Sequence, residues 1–273
     1  MRGSCCSPYK IIKKLTKKMK EKGKLAIAFS GGVDSGVVAK IAYLVLHENA
    51  VAITVSSESL SRHELSSAKK LAKEIGIKHI IVSSSELSNK NISRNPKNRC
   101  YFCRKELANV LKPVANSMGI NFIADGTNYS DINEYRPGIL AANEEGIWHP
   151  LLECKIDKEN VRKLARALKL SVYDKPSMAC LFSRFPYGDE ITIEKLRMVE
   201  EGEKFLRKFR IKTLRIRTHG KIARIEVGKE ELKKIFEKRE KIVKKLKELG
   251  YTYVTLDLEG YRSGSMDEAN TKI

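Results

Sequence analysis

The sequence lacks the features that would place it in a membrane or carry it through one. No apolar run approaches the roughly 20 residues needed to span a bilayer. The basic N-terminus has no apolar core of the kind a secretory signal needs, because Ile11-Ile12 is followed at once by Lys13-Lys14. The expected location is therefore cytoplasmic. There, six cysteines (Cys5, Cys6, Cys100, Cys103, Cys154 and Cys180) argue against structural disulfides and toward metal binding or redox chemistry. Acidic residues are also in short supply: 33 Asp and Glu stand against 53 Lys and Arg, a net charge of +20. That excess attracts polyanions such as nucleic acid, nucleotides or phosphorylated metabolites. Much of it sits in two Lys-rich stretches, residues 8–24 and 229–248, as solvated helix faces would hold it, so charge alone names no partner. No internal repeat, aromatic-rich RNA module or pair of zinc-ribbon cysteine motifs flanks the chain.

What is present is enough chain, 273 residues with 42% hydrophobic, for one large domain and a small one. Ser7-Pro8 reads as an N-cap followed by Pro at the first helical position, opening a basic helix that ends near Gly23. Leu25–Phe29 is a short apolar strand and 34–47 a helix. Ala50–Val55 is a buried strand, Arg62–Ile75 a helix, and His79–Val82 a third strand. A long helix through Leu107 and Val110 leads to a fourth strand, Asn121–Ala124. Strands separated by helices imply an α/β fold with a parallel sheet covered on both faces. After about Ser183 the rhythm changes: a helix, Glu194–Phe209, precedes an alternating hairpin, Thr213–Thr218 and Lys221–Val227, turning at His219-Gly220. A Lys/Glu-rich helix and a last strand, Tyr251–Leu258, complete a small α+β domain. The reading is a nucleotide domain over 1–185 and a C-terminal substrate-binding and oligomerisation domain over 186–273, linked near Phe185-Pro186-Tyr187-Gly188.

Between the first strand and the second helix stands Ser30-Gly31-Gly32-Val33-Asp34-Ser35. Two glycines let the backbone turn tightly and aim successive N–H groups into one concavity, the helix adds its positive N-terminal end, and Ser30 and Ser35 add hydroxyls. No Lys follows the glycines, so this is not the loop that holds β- and γ-phosphates for γ-transfer. The hexapeptide resembles the PP-loop of ATP pyrophosphatases, which cleave between the α- and β-phosphates. Asp34 would repel phosphate unless a cation intervenes, which suggests Mg²⁺ coordination. In that superfamily adenine lies against the end of the second strand, here Thr54-Val55-Ser56. Asp125-Gly126-Thr127-Asn128 would supply a second Gly turn at the carboxyl ends of the strands.

Cys100-Tyr101-Phe102-Cys103 is a C-x-x-C pair near a helix start, with Cys180 far away in sequence. Three readings are open: a four-iron four-sulfur cluster on Cys100, Cys103 and Cys180, a zinc site that adds Cys154, or independent thiols of which one is nucleophilic. His149 and His219 read as structural histidines.

Several further segments follow one another in the order of one family. They are Arg136-Pro137-Gly138, Pro176-Ser177-Met178-Ala179-Cys180-Leu181 with Ser183-Arg184, Ala223-Arg224-Ile225-Glu226, and Asp257-Leu258-Glu259-Gly260-Tyr261-Arg262. With the loop, the C-x-x-C and the Asp125 turn, they resemble the LarE sulfur transferases over about residues 10–265. The resemblance implies that ATP adenylates a carboxylate of pyridinium-3,5-biscarboxylic acid mononucleotide and releases pyrophosphate. Sulfur then displaces AMP to give the thiocarboxylate of the nickel-pincer nucleotide. Members with one cysteine surrender its sulfur; the presence of Cys100 and Cys103 implies the type with a cluster whose open iron accepts a sulfide. The implied cofactors are ATP, Mg²⁺ and a [4Fe-4S] cluster, and the implied partners a small nucleotide substrate, a sulfur donor and further copies of the chain. The site expected on these grounds comprises Asp34 and Cys180 as catalytic residues and Ser30, Gly31, Gly32, Asp34, Ser35, Val55, Gly126 and Thr127 around ATP. Arg184, Arg215 and Arg217 would bind the phosphorylated substrate. The rival reading is a PP-loop tRNA thiolation enzyme with a three-cysteine cluster, favoured by the basic charge.

Overall fold

The computed structural model describes residues 8–133, 136–176, 180–262 and 265–266. In chain order these form α1 (Pro8–Lys22), β1 (Leu25–Ala28), α2 (Val33–Leu46), β2 (Ala50–Ser56), α3 (Arg62–Ile75), β3 (Lys78–Ser83), α4 (Lys90–Ser93), α5 (Arg99–Ser117) and β4 (Ile123–Ala124). There follow α6 (Pro137–Glu144), α7 (Pro150–Glu153), α8 (Lys158–Ala167), α9 (Ile193–Arg207), β5 (Leu214–His219), β6 (Ile222–Val227), α10 (Leu232–Glu237), α11 (Arg239–Glu248) and β7 (Tyr253–Leu256). The N-cap assigned to Ser7, and Cys5 and Cys6, lie outside the described residues. Contacts divide the chain into two compact units. One comprises the stretch up to residue 86 together with 98–176, the other residues 87–97 together with the chain from 180 onward.

The first unit is an α/β layer structure around a parallel sheet of order β3-β2-β1-β4. Strands β1 and β2 are apolar on both faces, and the period-2 alternation of side chains sends them into two cores. Leu25 and Ile27 of β1, with Ala50 and Ala52 of β2, join Leu15 and Met19 of α1, Val37 and Ile41 of α2, Leu71 and Ile75 of α3, and Leu164 of α8. Ala26, Val51 and Ile53 face the other way onto Ala108, Leu111 and Ala115 of α5. Helix α2 is apolar almost all round and accordingly buried on most of its surface. Helix α3 begins and ends as the sequence predicts, for local reasons. Ser61 Oγ accepts the Glu64 N–H at 3.2 Å, and Gly76 closes the helix at φ +84°. The fourth strand is shorter than its apolar run, yet a parallel bridge from Ala124 to Trp148 continues the sheet by one more segment, which the sequence reading does not contain.

In the second unit β5 and β6 form the expected antiparallel hairpin, with Gly220 at φ +56° in the turn. Strand β7 returns parallel to β6 after the α10–α11 crossover. The 229–248 stretch, read as one helix, is interrupted at Lys238, whose φ of −102° and ψ of 10° leave the helical well between α10 and α11. The core joins Leu206 of α9 with Leu214, Ile216, Ala223, Ile225 and Val227 of the hairpin and Ile242 and Leu246 of α11. Residues 87–97 belong here because Asn95 Nδ2 donates to the carbonyls of Phe185 (3.3 Å) and Pro186 (2.6 Å), while the Gly188 N–H donates to the Asn95 carbonyl at 2.9 Å. Phe185–Gly188, read as a link, thus lies inside the second unit.

Leu15, fully buried where α1 packs on α2 and α8, tests whether α1 is part of the fold or an appendage. Leu15→Ala is expected to cost about 2–5 kcal/mol of unfolding free energy, read from the urea midpoint; a loss under about 0.5 kcal/mol, the range of a surface substitution, would make α1 an appendage.

Candidate active site

The loop after β1 is shaped by what surrounds it. Gly31 has φ +71°, and a Cβ there would lie 2.6 Å from the Ala68 Cα, so α3 and the left-handed backbone both require glycine. Gly32 is the N-cap of α2 and makes no side-chain cap, which leaves the first-turn N–H groups of a 14-residue helix without a side-chain acceptor. Ser30 Oγ accepts from the Gly32 N–H at 3.3 Å and lies 3.1 Å from Ser35 Oγ, so both hydroxyls line the same turn.

A second turn is seated on the first. A Cβ on Gly126 would strike the Ser35 amide nitrogen at 2.6 Å and the Asp34 Cβ at 2.9 Å. Asn128 Nδ2 donates to Asp34 Oδ1 at 3.2 Å, and Lys158, the first residue of α8, places its ammonium on Asp34 Oδ2. Asp131 is pushed up by burial and by the nearby Asp34 charge, against the opposing pull of the Asn128 N–H and Arg136. Buried Asp125 holds the turn. Its Oδ1 accepts from the Thr127 N–H (2.9 Å) and from His149 Nδ1 (2.7 Å). Its Oδ2 accepts from Thr127 Oγ1 (2.9 Å) and faces Arg104 at 3.3 Å. Burial alone would raise this carboxyl; the His149 bond and the Arg104 charge hold it below the ordinary carboxylate range.

Val55 sits half-buried at the carboxyl end of β2. Beside it Thr54 Oγ1 donates to the Phe29 carbonyl at 2.6 Å, so His79 Nε2, at 2.8 Å, is the donor to Thr54. Lys175 donates to the Gly31 carbonyl (3.2 Å) and to buried Glu64 (3.0 Å). Ser30, Gly31, Gly32, Asp34, Ser35, Gly126 and Thr127 therefore share one edge of the sheet. Arg104, Lys158 and Lys175 join them although no sequence signal singled them out, as does His149, read from the sequence as structural.

Cys100 lies in the first turn of α5 and Cys103 at the start of the second, one exposed and one half-buried. Arg104, next to Cys103, ties this end of the helix to Asp125 and so to the loop. Cys154 is buried in the first core and burial pushes its thiol up, the behaviour of a packed residue. In the second unit Cys180 is exposed at the N-cap of the turn Leu181–Arg184. Its carbonyl accepts from Ser183 Oγ (2.8 Å) and Arg184 (3.2 Å). Among the described residues no group of three or more His, Cys, Asp or Glu is arranged to hold a metal ion.

The three arginines read as substrate ligands are more buried than that reading supposes. Arg184 pairs with Glu203 at 2.8 Å, Arg217 with Glu226 at 2.9 Å, and Arg215 donates to the Leu214 carbonyl at 2.7 Å and lies 5.2 Å from the Tyr261 ring. Arg184 and Arg217 also grip Ser183, the first through its hydroxyl (3.0 Å) and the second through its carbonyl (2.9 Å), which fixes the turn that carries Cys180.

The NAD synthase family model matches residues 8–105, the stretch that holds the loop. The pyridinium-3,5-bisthiocarboxylic acid mononucleotide synthase of Lactiplantibacillus plantarum is 35% identical over 255 residues, covering 93% of this chain and 92% of that protein. The chain belongs to the LarE family. An uncharacterized protein of Synechocystis is 47% identical over 90% of this chain and 92% of its own length. Another, of Methanocaldococcus jannaschii, is 33% identical over 93% of this chain and 96% of its own length.

Gly126→Ala should abolish nucleotide binding in calorimetry while the circular dichroism spectrum is kept, because the added methyl meets the loop's backbone. Retained affinity would separate the two turns. Burial raises the Glu203 carboxyl, but Arg184 more than offsets this and holds it below its ordinary value. A depressed carboxyl stabilises the fold fully above the unfolded range, about pH 4–5, and that contribution is lost as pH falls through the folded value. Glu203→Gln should cost about 3–5 kcal/mol at neutral pH by leaving Arg184 unpaired, and should flatten the acid limb of a pH–stability curve. An unchanged acid limb would remove Glu203 as its source.

Proposed function

We propose that the protein is an ATP-dependent sulfur transferase that adenylates a carboxylate of pyridinium-3,5-biscarboxylic acid mononucleotide and replaces its oxygen with sulfur, a step in nickel-pincer nucleotide synthesis. The observation that carries the reading is the Ser30–Ser35 loop with the Asp125 turn seated on it, in a chain 35% identical to a synthase of that product. A carboxylate is a poor electrophile; converting it to an acyl adenylate supplies AMP as leaving group. The α2 N–H groups, Ser30 and Ser35 would receive the phosphates, with Gly31, Gly32 and Gly126 permitting the close approach and Val55 and Thr127 beside the nucleoside. Asp34 offers a partly exposed carboxylate oxygen at the helix start, a donor suited to Mg²⁺, which commonly takes one protein carboxylate with phosphate oxygens.

The substrate is anionic, and the surroundings of Cys180 in the second unit suit it. Arg184, Arg207, Arg215, Arg217 and Arg224 outnumber the carboxylates Glu203, Glu226 and Asp257 that pair with them, so Arg184, Arg215 and Arg217 would offer a surplus of positive charge to a phosphate. Cys100 and Cys103, one turn apart at a helix start, and exposed Cys180 are thiols of the kind that ligate a [4Fe-4S] cluster. Such a cluster with three protein ligands would supply an iron able to bind a sulfide. Cytoplasmic location and assembly into a homo-oligomer belong to the same proposal.

Anaerobic incubation with ATP and the pyridinium nucleotide should give AMP, pyrophosphate and a thiocarboxylate by mass spectrometry. ADP and phosphate would exclude adenylation, and sulfur added to tRNA instead would favour the rival substrate. Asp34→Ala should reduce AMP formation at least 100-fold, the order of loss on removing one charge-stabilising group; near-normal turnover would take Asp34 out of the site.

A further inference from the structure

The peptide between Gly31 and Gly32 has the most freedom in the phosphate loop to turn the wrong way. In a planar trans peptide the carbonyl and the following N–H point in opposite directions, so the Gly31 carbonyl decides where the Gly32 N–H points. Half a turn of this peptide would carry Gly32 from its φ of −85° to a positive φ, which glycine accepts about as readily. A carbonyl oxygen, which repels phosphate, would then replace an N–H in the concavity. On the N–H side the hold is a 3.3 Å bond to the neutral Ser30 hydroxyl. On the carbonyl side it is the Lys175 ammonium at 3.2 Å, a charge-assisted bond of the stronger kind.

Lys175 is itself fixed. Its N–H donates to the Val172 carbonyl at 3.0 Å, and its carbonyl accepts from Arg162 of α8, also at 3.0 Å. Its ammonium meets Glu64 at 3.0 Å, the side chains of the pair being only 16% and 8% exposed. Glu64 and Ala68 are four residues apart on one face of α3, and Ala68 is what a Cβ on Gly31 would strike. One face of α3 thus presses on Gly31 and, a turn earlier, anchors the cation that holds the Gly31 carbonyl.

We propose that Lys175 is a positioning residue that locks the Gly31–Gly32 peptide in the orientation that receives phosphate; this rests on the nucleotide site proposed above. Without the lock the loop divides between two peptide orientations, of which one binds, and apparent affinity falls by the competent fraction. The loss has a kinetic signature. Association slows in proportion to that fraction, whereas dissociation keeps its rate because the contacts of the bound loop are unchanged. A side chain that touches the ligand acts the other way, mainly on dissociation.

The test is stopped-flow binding of ATP with a fluorescent label on its ribose, with circular dichroism as the folding control. Lys175→Met should weaken binding about 10–100-fold, the range for a hydrogen bond from a charged group. Nearly all of that loss should fall on association, with dissociation changed by under about threefold. Lys175→Met leaves the buried Glu64 charge uncompensated, so the double variant Glu64→Leu/Lys175→Met, which removes both charges, guards against a failure to fold. It should show the same split. Lys175→Arg keeps a donor and should recover part of the association rate. Unchanged affinity in the double variant, or a loss carried by faster dissociation, overturns the lock. Wild-type protein that binds no ATP sinks the nucleotide reading of the loop itself. Wild-type protein that binds ATP, with the double variant behaving identically, sinks only the role of Lys175.

Discussion

Gly126 approaches the Ser35 backbone so closely that one methyl group would strike the amide nitrogen at 2.6 Å, and the arrangement of the first unit's edge follows from keeping that contact. A turn pressed against a helix start must be held by something other than its own packing, and Asp125 holds it. Two oxygens accept from Thr127, His149 and Arg104, so the buried charge is compensated by hydrogen bonds and a cation. Because Arg104 directly follows Cys103 in α5, the C-x-x-C pair is positioned by the same carboxylate that positions the phosphate loop. A change at Asp125 would be felt in both places, as expected of a hydrogen-bonded network whose members share one charge.

The second unit solves a related problem with larger charges. Glu203 is buried and meets Arg184, Arg207 and the Ile216 N–H. Glu226 is buried and meets Arg217, Arg224 and Ser265 Oγ. Such pairs cost desolvation that their attraction roughly offsets, so they are weak evidence for stability. Their value is positional. Planar guanidinium groups with several donors can satisfy a carboxylate and still reach a neighbouring carbonyl or hydroxyl. Arg184 and Arg217 do this at Ser183, and the turn beginning at Cys180 is fixed by groups that also concentrate positive charge around it.

What was legible in the sequence was local. The loop could be read because Ser30–Ser35 is contiguous and glycine is the residue a left-handed turn under α3 demands. The bounds of α3 could be read because Ser61, Glu64 and Gly76 are its own caps. The parallel sheet followed from alternating elements, each of which obeyed its hydrophobic period. What was missed depends on distance along the chain. Lys158 and Lys175 meet their partners across 124 and 144 residues, and a lysine in a chain with 53 basic residues advertises nothing. The return of 87–97 to the second unit hangs on Asn95, a lone polar residue at φ +54°. The arginines of β5 could be named as substrate ligands, but not as buried, because burial of charge is decided by a carboxylate elsewhere.

The net charge of +20 invites an explanation by electrostatic attraction, and the structure redirects it. Much of that charge lies on solvated faces such as the outer side of α1, where Lys10, Lys13, Lys14, Lys17 and Lys20 are exposed; salt screens such charges within about 10 Å. A phosphate group recognised at a defined position needs few cations, each with a fixed origin and a partner it can leave. The loop's one acidic residue sharpens this demand. Asp34 suits a divalent ion but opposes a bare phosphate, so the fold must supply a countercharge that is present before the ligand and displaceable by it. A lysine within the loop would be too close to Asp34 to be independent of it. One delivered by the start of α8 meets the carboxylate only at its tip, in an ion pair that stays open to solvent.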